Sequence, residues 1–405
     1  MSRIVVLGAA GIIGQAIAQD LVEDVDEVVL ADLNEAGVQQ LAQKLGRGAI
    51  ARRVDVTDPQ SLDAVLEGAG ACINSAQYYF NLDVMEGCLR QRVPYIDLGG
   101  LFHLTRKQLE LSDRFKEAGV TAILGMGSCP GVANIQAGYL GKMLDSVDSA
   151  KIYNGSTIDE GDSLSWAYSV ETILDEISKP SMVFRNGEFQ ELPALSEEEF
   201  FLFPDPIGWA KTHLSLHSEV ATIPLSLQDK GIQECFFKIT FFGYSEAALR
   251  KMKFLADLGF ASKEKIDVKG VQVAPRDVLI TLLNQSPDAH KPPINKGFKD
   301  VAAVLEGTKD GKPVVLRVDT VAWPHQRWGI SGSKLMVASP PAIVARWLAD
   351  GRLREPGVWA PEQVVDGEAF FKEMAARGVT TTLTREDLIA AQEAAEQSET
   401  QPVPV

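Results

Sequence analysis

Ile4-Val5-Val6-Leu7-Gly8-Ala9-Ala10-Gly11-Ile12-Ile13-Gly14 decides how the chain begins: four strand-like apolar residues, three glycines spaced GxxGxxG, then a helical window with Ile13, Ile17 and Leu21 as apolar positions. A continuous apolar run marks a strand buried on both faces. Glycine stands where a chain turns tightly and lets its backbone approach an anion, and the helix that follows offers unpaired N–H groups to that anion. Ala10 occupies a position that is glycine in the GxGxxG form of this phosphate-binding turn.

Working outward, the next strand-like run, Glu27–Ala31, ends on Asp32, 18 residues beyond Gly14. That is the distance at which a carboxylate reaches the ribose hydroxyls of a dinucleotide. Such a carboxylate repels a 2′-phosphate, and Leu33 and Asn34 bring no arginine to bind one, so the charge logic favours NAD over NADP. Further runs at Ala49–Val56, Ala71–Asn74, Tyr95–Leu98 and Thr121–Leu124 alternate with amphipathic helical windows, the pattern of βαβ units and a doubly wound parallel sheet. Ligands bind beyond the carboxyl ends of such strands. Gly8, Ala10, Gly11, Ile12 and Ile13 are therefore expected at the pyrophosphate, Asp55 and Val56 at the adenine edge, and Ser75, Ala76 and Gln77 near the nicotinamide. For Asp55 a turn or N-cap role is the competing reading.

At 405 residues the chain exceeds what one core usually serves, so at least two domains are expected. From about Ala150 alternating aromatic-rich runs, Glu234–Phe242 and Val314–Val321, read as a more exposed mixed sheet. Helix is expected again over Ala342–Ala349 and in the Thr384–Gln397 window. This divides the chain into a Rossmann domain over 1–125 and 335–397, an α+β catalytic domain over 126–334, and a disordered tail over 398–405.

A formal charge of −16, from 39 basic and 55 acidic side chains, excludes a nucleic-acid backbone or anionic membrane as the obvious partner. Cys72, Cys88, Cys129 and Cys235 form no CxxC pair, which fits a reducing, cytoplasmic setting better than a disulfide or zinc framework. No export signal is expected at the start of the chain. The uncharged stretch from Val120 to Gly141 is broken by Gly125, Gly127, Pro130 and Gly131, so it reads as strand, turn and helix rather than a membrane span.

Chemistry is expected after the fifth and sixth strands, at Asp97-Leu98-Gly99-Gly100 and at Gly125-Met126-Gly127-Ser128-Cys129-Pro130-Gly131. The second turn opens a helix, so its backbone, with Ser128 and Cys129, is a place to hold a carboxylate or carboxamide. Cys129 is read as a small buried cysteine rather than a nucleophile, since no base lies nearby in sequence.

Together with Ser339–Pro341 and Gly357-Val358-Trp359-Ala360-Pro361-Glu362, these segments resemble the saccharopine dehydrogenase superfamily. Within it, Thr172–Lys179, Val183–Pro193 and Leu216-His217-Ser218-Glu219 are most similar to lysine 6-dehydrogenase. The resemblance implies a discontinuous Rossmann domain, a homodimer or higher homo-oligomer built through the middle domain, and NAD-dependent oxidation at a C–N bond of a small amine or amino acid. Lysine deamination is the leading expectation, a reductive condensing dehydrogenase of the saccharopine or carboxynorspermidine type the alternative, and a non-catalytic NAD-binding sensor a third reading.

Such chemistry needs a base for the substrate ammonium. His217 and Glu219 are the first candidates, with Asp97, Tyr168 and His213 behind them. A structural histidine is the competing reading for His217, and a His213/His217 metal pair lacks a third ligand, so no metal is expected. Arg327, between Trp323 and Trp328, is the candidate cation for a substrate carboxylate.

Overall fold

The computed structural model describes residues 2–46, 48–157, 169–241, 246–286 and 297–387. Its first layer is a parallel sheet of β1 (Arg3–Leu7), β2 (Glu27–Asp32), β3 (Ala49–Arg53), β4 (Ala71–Asn74), β5 (Tyr95–Asp97) and β6 (Thr121–Ile123). Ile4 to Leu7 are fully buried, as a strand covered by helices on both faces requires. The order runs β6-β5-β4-β1-β2-β3, so the winding reverses between β1 and β4 and opens a crevice at their carboxyl ends.

The second layer holds β7 (Ser146–Ser156), β8 (Ser181–Arg185), β9 (Glu188–Leu192), β10 (Glu199–Leu202), β11 (Trp209–Leu214) and β12 (Glu234–Ile239). After a small hairpin of β13 (Ile266–Val268) and β14 (Val271–Val273), the long pair β15 (Lys299–Lys309) and β16 (Lys312–Ala322) completes its centre. β7 pairs parallel with β12 and antiparallel with β15, which makes the sheet mixed as expected. The helix Val132–Met143 lies between the layers and is buried nearly all round; Gln136 Nε2 donates to Val301 O at 2.8 Å and to Thr320 Oγ1 at 2.7 Å. One apolar core is thus continuous through both layers.

The chain then returns to the first layer. The helix Gly332–Ala349 packs on the helix Ile12–Leu21, and β17 (Gly357–Trp359) adds a seventh strand, parallel to β6. This helix begins well before the expected Ala342 and runs through Pro340 and Pro341. Thirteen of its residues are buried, and that burial overrides the two missing N–H donors.

The return is shorter than expected. β18 (Val379–Asp387) crosses back to pair antiparallel with β16, so the second sheet, and not the Rossmann domain, takes this part of the 335–397 segment. It also replaces the start of the helix expected from Thr384. Val379-Thr380-Thr381-Thr382 is a β-branched run that fits the open edge of β16 better than a helix. The remainder of that window and the 398–405 tail lie outside the described residues.

A buried carboxylate locks the return in place. Asp20, 1% exposed, receives Arg346 Nη1 at 2.9 Å, Arg377 Nε at 2.7 Å and Ser339 Oγ at 2.8 Å. Removing one member of such a group leaves buried charge uncompensated. Asp20→Ala is expected to lower folding stability by about 3 kcal/mol, read as a fall in Tm or denaturation midpoint. An unchanged midpoint would show that the clamp contributes nothing.

Candidate active site

The glycine-rich turn is shaped by contacts that admit no side chain. A Cβ on Gly8, whose φ is +73°, would fall 2.7 Å from the Ala76 amide nitrogen, and one on Gly14 would fall 2.3 Å from Gly8 O. Gly11 caps the helix Ile12–Leu21 with no side-chain acceptor, and Ile12 is exposed. The first-turn N–H groups are therefore left for a ligand, and the turn fits a dinucleotide pyrophosphate. Asp32 serves this turn directly: Oδ2 accepts from the Ala10 amide at 3.0 Å and Oδ1 from the Asn34 amide at 2.9 Å. Asp55 instead commits its carboxylate to Thr57, whose amide donates at 3.0 Å and hydroxyl at 2.7 Å. Those bonds hold the Asp55 carboxyl below its usual range, which fits the competing turn reading.

Beyond the turn, a cavity of about 700 Å³ runs between the layers. Gly11, Ile12 and Ile13 line one end; Ser75, Ala76 and Gln77 line it as expected for the nicotinamide half; Ser128, Cys129, Glu176, His217 and Lys299 line the interior. Two bonds bridge the layers at this place, Gln77 Nε2 to Ser169 Oγ at 3.0 Å and Tyr78 Oη to Asp175 Oδ2 at 2.7 Å.

The interior group is the chemically distinctive part. His217 follows β11 and stacks on Phe237, with ring centroids 3.9 Å apart. Its Nδ1 lies 2.6 Å from Glu219 Oε2 and its Nε2 lies 3.7 Å from Glu176 Oε1. Burial pushes the imidazole down, but the Glu219 and Glu176 carboxylates outweigh it and hold the pKa above the ordinary histidine value. Lys299 is 2% exposed, and its Nζ donates to Ser128 Oγ at 2.8 Å. Burial pushes this ammonium down to about 8, against the opposing pull of Cys129, Glu219 and Glu176. Cys129, half-buried at the cavity wall, is held as a thiol, its pKa raised by desolvation and by Glu219.

Two regions of the chain match family models, the saccharopine dehydrogenase NADP binding domain over residues 4–123 and the saccharopine dehydrogenase C-terminal domain over 127–379. The chain belongs to the saccharopine dehydrogenase family. Family membership carries an NAD(P)-binding first domain and an oxidoreductase architecture. Among curated relatives, carboxynorspermidine synthase of Vibrio cholerae is 28% identical over 277 residues, covering 65% of this chain and 64% of that protein, so the match spans under two thirds of the relative. Carboxyaminopropylagmatine dehydrogenase of Synechocystis sp. is 23% identical over 394 residues, covering 94% and 96%. Two solved structures share the fold. Apo saccharopine dehydrogenase (L-Glu forming) of Saccharomyces cerevisiae has a TM-score of 0.72 at 16% identity, covering 95% of this chain and 100% of that one. Homospermidine synthase of Legionella pneumophila in complex with NAD has a TM-score of 0.65 at 13% identity, covering 95% and 91%.

Within this saccharopine dehydrogenase fold, several expected site residues stand elsewhere. Asp97 is fully buried, does not line the cavity, and accepts five hydrogen bonds: from the Gly99 and Gly125 amides, Gln108, Tyr95 and Asn81. It positions loops rather than exchanging protons with substrate. Arg327 is exposed and ion-paired with Glu23, to which Trp328 Nε1 also donates, so it cannot supply the carboxylate-binding cation in the cavity. Of the tryptophans that marked it out in sequence, Trp328 belongs to this surface clamp and Trp323 packs edge-on against Phe298. His213 lies in β11 and not on a helix, so it shares no helical face with His217. It sits 3.7 Å from both Glu198 and Glu246, and Lys211 already pairs with those glutamates at 3.0 and 3.6 Å. Tyr168 lies outside the described residues.

Sequence reasoning missed Lys299 and Glu176. The signal for Lys299 was present: it heads the row Lys299, Val301, Ala303, Leu305, one face of a strand otherwise apolar and buried. Glu176 sits among the buried apolar residues Ile173, Leu174 and Ile177 of the helix Val170–Ser178.

Glu219 raises the His217 pKa by favouring the cation, so Glu219→Gln is expected to lower it. The corresponding limb of the pH–kcat/KM profile moves to lower pH. A limb that stays in place would remove the His217–Glu219 contact from the chemistry.

Proposed function

We propose that this chain is an NAD(P)-dependent condensing dehydrogenase, which joins the amine of a diamine or amino acid to the carbonyl of an aldehyde or keto acid and yields a secondary amine. The observation that carries this is the buried His217–Glu219–Glu176–Lys299 group, of which His217, Glu176 and Lys299 line the cavity of about 700 Å³ that reaches the dinucleotide turn. Burying so many ionisable groups costs free energy that a sensor lacking chemistry has no reason to spend. The relatives weigh in the same direction. Lysine deamination, the leading expectation from sequence, gives way to condensation, because the matching proteins are named for carboxynorspermidine and carboxyaminopropylagmatine.

Gly8, Gly11, Ile12, Ile13, Ser75 and Ala76 would hold the dinucleotide, which when bound supplies hydride. The chain's own residues deal with the nitrogen. An incoming ammonium loses a proton before it can attack, and the hydroxyl formed on the carbonyl carbon gains one before it leaves as water. Buried contact with two carboxylates keeps His217 a proton carrier, and Glu176 Oε1, 3.7 Å from its Nε2, lies on the path toward the cavity. Glu171 and Glu176 favour a cationic amine in the cavity, and Lys334, which also lines it, offers a cation to a carboxylate.

Asp32 supports NAD over NADP through its charge, although Arg53 pairs in register with it across β2 and β3. Because Asp32 also braces the Ala10 amide, Asp32→Ala is expected to raise the KM for NAD about tenfold and that for NADP less. Unchanged discrimination would take Asp32 out of the ribose site. We further propose a homo-oligomer working in the cytoplasm. Among the described residues no helix is long and apolar enough to cross a membrane.

The deciding assay supplies reduced dinucleotide with amines and carbonyl compounds singly and in pairs. Condensation predicts dinucleotide oxidation only when both substrates are present, and His217→Ala is expected to cut that rate about 10²-fold. Release of ammonia with dinucleotide reduction from lysine alone would overturn the reading in favour of deamination.

A further inference from the structure

Lys299 calls for an explanation that the proton-handling scheme does not supply. It begins β15 on the face turned to the helix Val132–Met143, where the next three residues of its row, Val301, Ala303 and Leu305, are apolar and buried. A lysine in such a row loses hydration, and the loss is tolerated where the amine is needed. Its Nζ is held by Ser128 Oγ at 2.8 Å, it lines the cavity together with Glu176 and His217, and it sits among the charges of Glu176 and Glu219. His217 and Glu219 hold a proton between them, and Cys129 is kept as a thiol. Lys299 is the remaining nucleophile in the group.

We infer that Lys299 carries the carbonyl substrate as an imine on its Nζ before the amine attacks, a role that rests on the condensing reading above. The neutral amine adds to the carbonyl carbon, a C–N bond forms as the C=O π bond breaks, and the carbonyl oxygen takes one of the two Nζ protons to become a hydroxyl. That hydroxyl gains a second proton from the His217–Glu219–Glu176 group and leaves as water, so the carbon is left double-bonded to a protonated Nζ. The amine of the second substrate adds to the same carbon, one of its protons passes to Nζ, and Nζ leaves as the neutral amine. The product is the imine joining the two substrates, and Lys299 is regenerated. Neither exchange is a redox step; the carbon keeps its oxidation level until hydride arrives.

Two physical features favour this route. Nucleophilic catalysis splits one difficult condensation into two easier exchanges, and a protonated imine is attacked more readily than the parent carbonyl. Burial also pushes Lys299 down to about 8, so roughly a tenth of it is neutral at pH 7, several hundred times more than an ordinary lysine. Ser128 Oγ accepts from Nζ and so orients the amine, and Glu176 and His217, which line the same cavity, are the groups there that can exchange the protons each step needs.

The test uses the full chain without dinucleotide or amine, succinic semialdehyde as the carbonyl probe, and sodium cyanoborohydride to fix any imine. Peptide mass spectrometry is expected to find the reduced adduct on Lys299 in preference to Lys334, and added diamine is expected to suppress it. Lys299→Arg keeps a cation and a donor but forms no imine, so it should lose condensation about 10²-fold or more while still binding dinucleotide, as followed by fluorescence. Turnover of paired substrates without a Lys299 adduct, or with a rate that survives Lys299→Arg, would overturn the inference and leave condensation standing. Failure of every amine–carbonyl pair would instead sink the condensing reading. The carrier role would fall with it, and an adduct on Lys299 would then show only an amine that reacts with aldehydes.

Discussion

The Asp97 carboxylate is the joint on which the site hangs. It ends β5 with no exposure to solvent, and burial pushes its pKa up against the hydrogen bonds that hold it down. The Gly99 and Gly125 amides reach Oδ1 at 2.9 and 2.7 Å, and Gln108, Tyr95 and Asn81 reach Oδ2. Five donors compensate a buried carboxylate in a way that water no longer can. Through them the loops after β5 and β6 take one relative position. Pro130 then seats against both glycines, where a Cβ would fall 2.9 Å from it at Gly99 and 2.7 Å at Gly125. Ser128 and Cys129, which the same turn carries, face the cavity as a result.

From that turn the charges of the second layer follow. Ser128 anchors Lys299 from β15, Cys129 lies against Glu219, and Glu219 holds His217, whose outer nitrogen faces Glu176. Each group is expensive to bury alone, and each lowers the cost of its neighbour. The group is therefore coupled: a change to one carboxylate alters the protonation of the imidazole and of the ammonium together. The chemical reading depends on the whole set and not on any single residue type.

The two layers also depend on a crossing chain. The helix Gly332–Ala349 and β17 complete the first layer, and β18 closes the second, so neither layer is built from one continuous stretch. Asp20, with Arg346 and Arg377, binds this return to the first helix of the chain. Arg327 and Trp328 reinforce the same junction through Glu23 at the surface. A cavity between layers fastened in this way keeps a fixed outline, which suits a site that must bring separate reactants together.

Much of the first layer was legible in sequence because its determinants are local. The Gly8–Gly14 turn follows from steric exclusion at glycine, the strands from continuous apolar runs, and the candidate bases His217 and Glu219 stand two residues apart in the chain. The Trp-flanked Arg327 was misleading for the same local reason: its neighbours mark a surface clamp as well as they would a pocket. The β-branched stretch at Val379 was outvoted by the helical pattern after it, since only the open edge of β16 gives it a partner. By itself, then, the sequence determined the dinucleotide turn, the winding of the parallel sheet and the histidine–glutamate pair. Only the tertiary structure decided that Glu176 and Lys299 join that pair, that Asp97 is a structural joint, and that Val379–Asp387 returns to the second sheet. These depend on contacts between distant segments, and the hydrophobic burial that forms them has no direction a short stretch of sequence can encode.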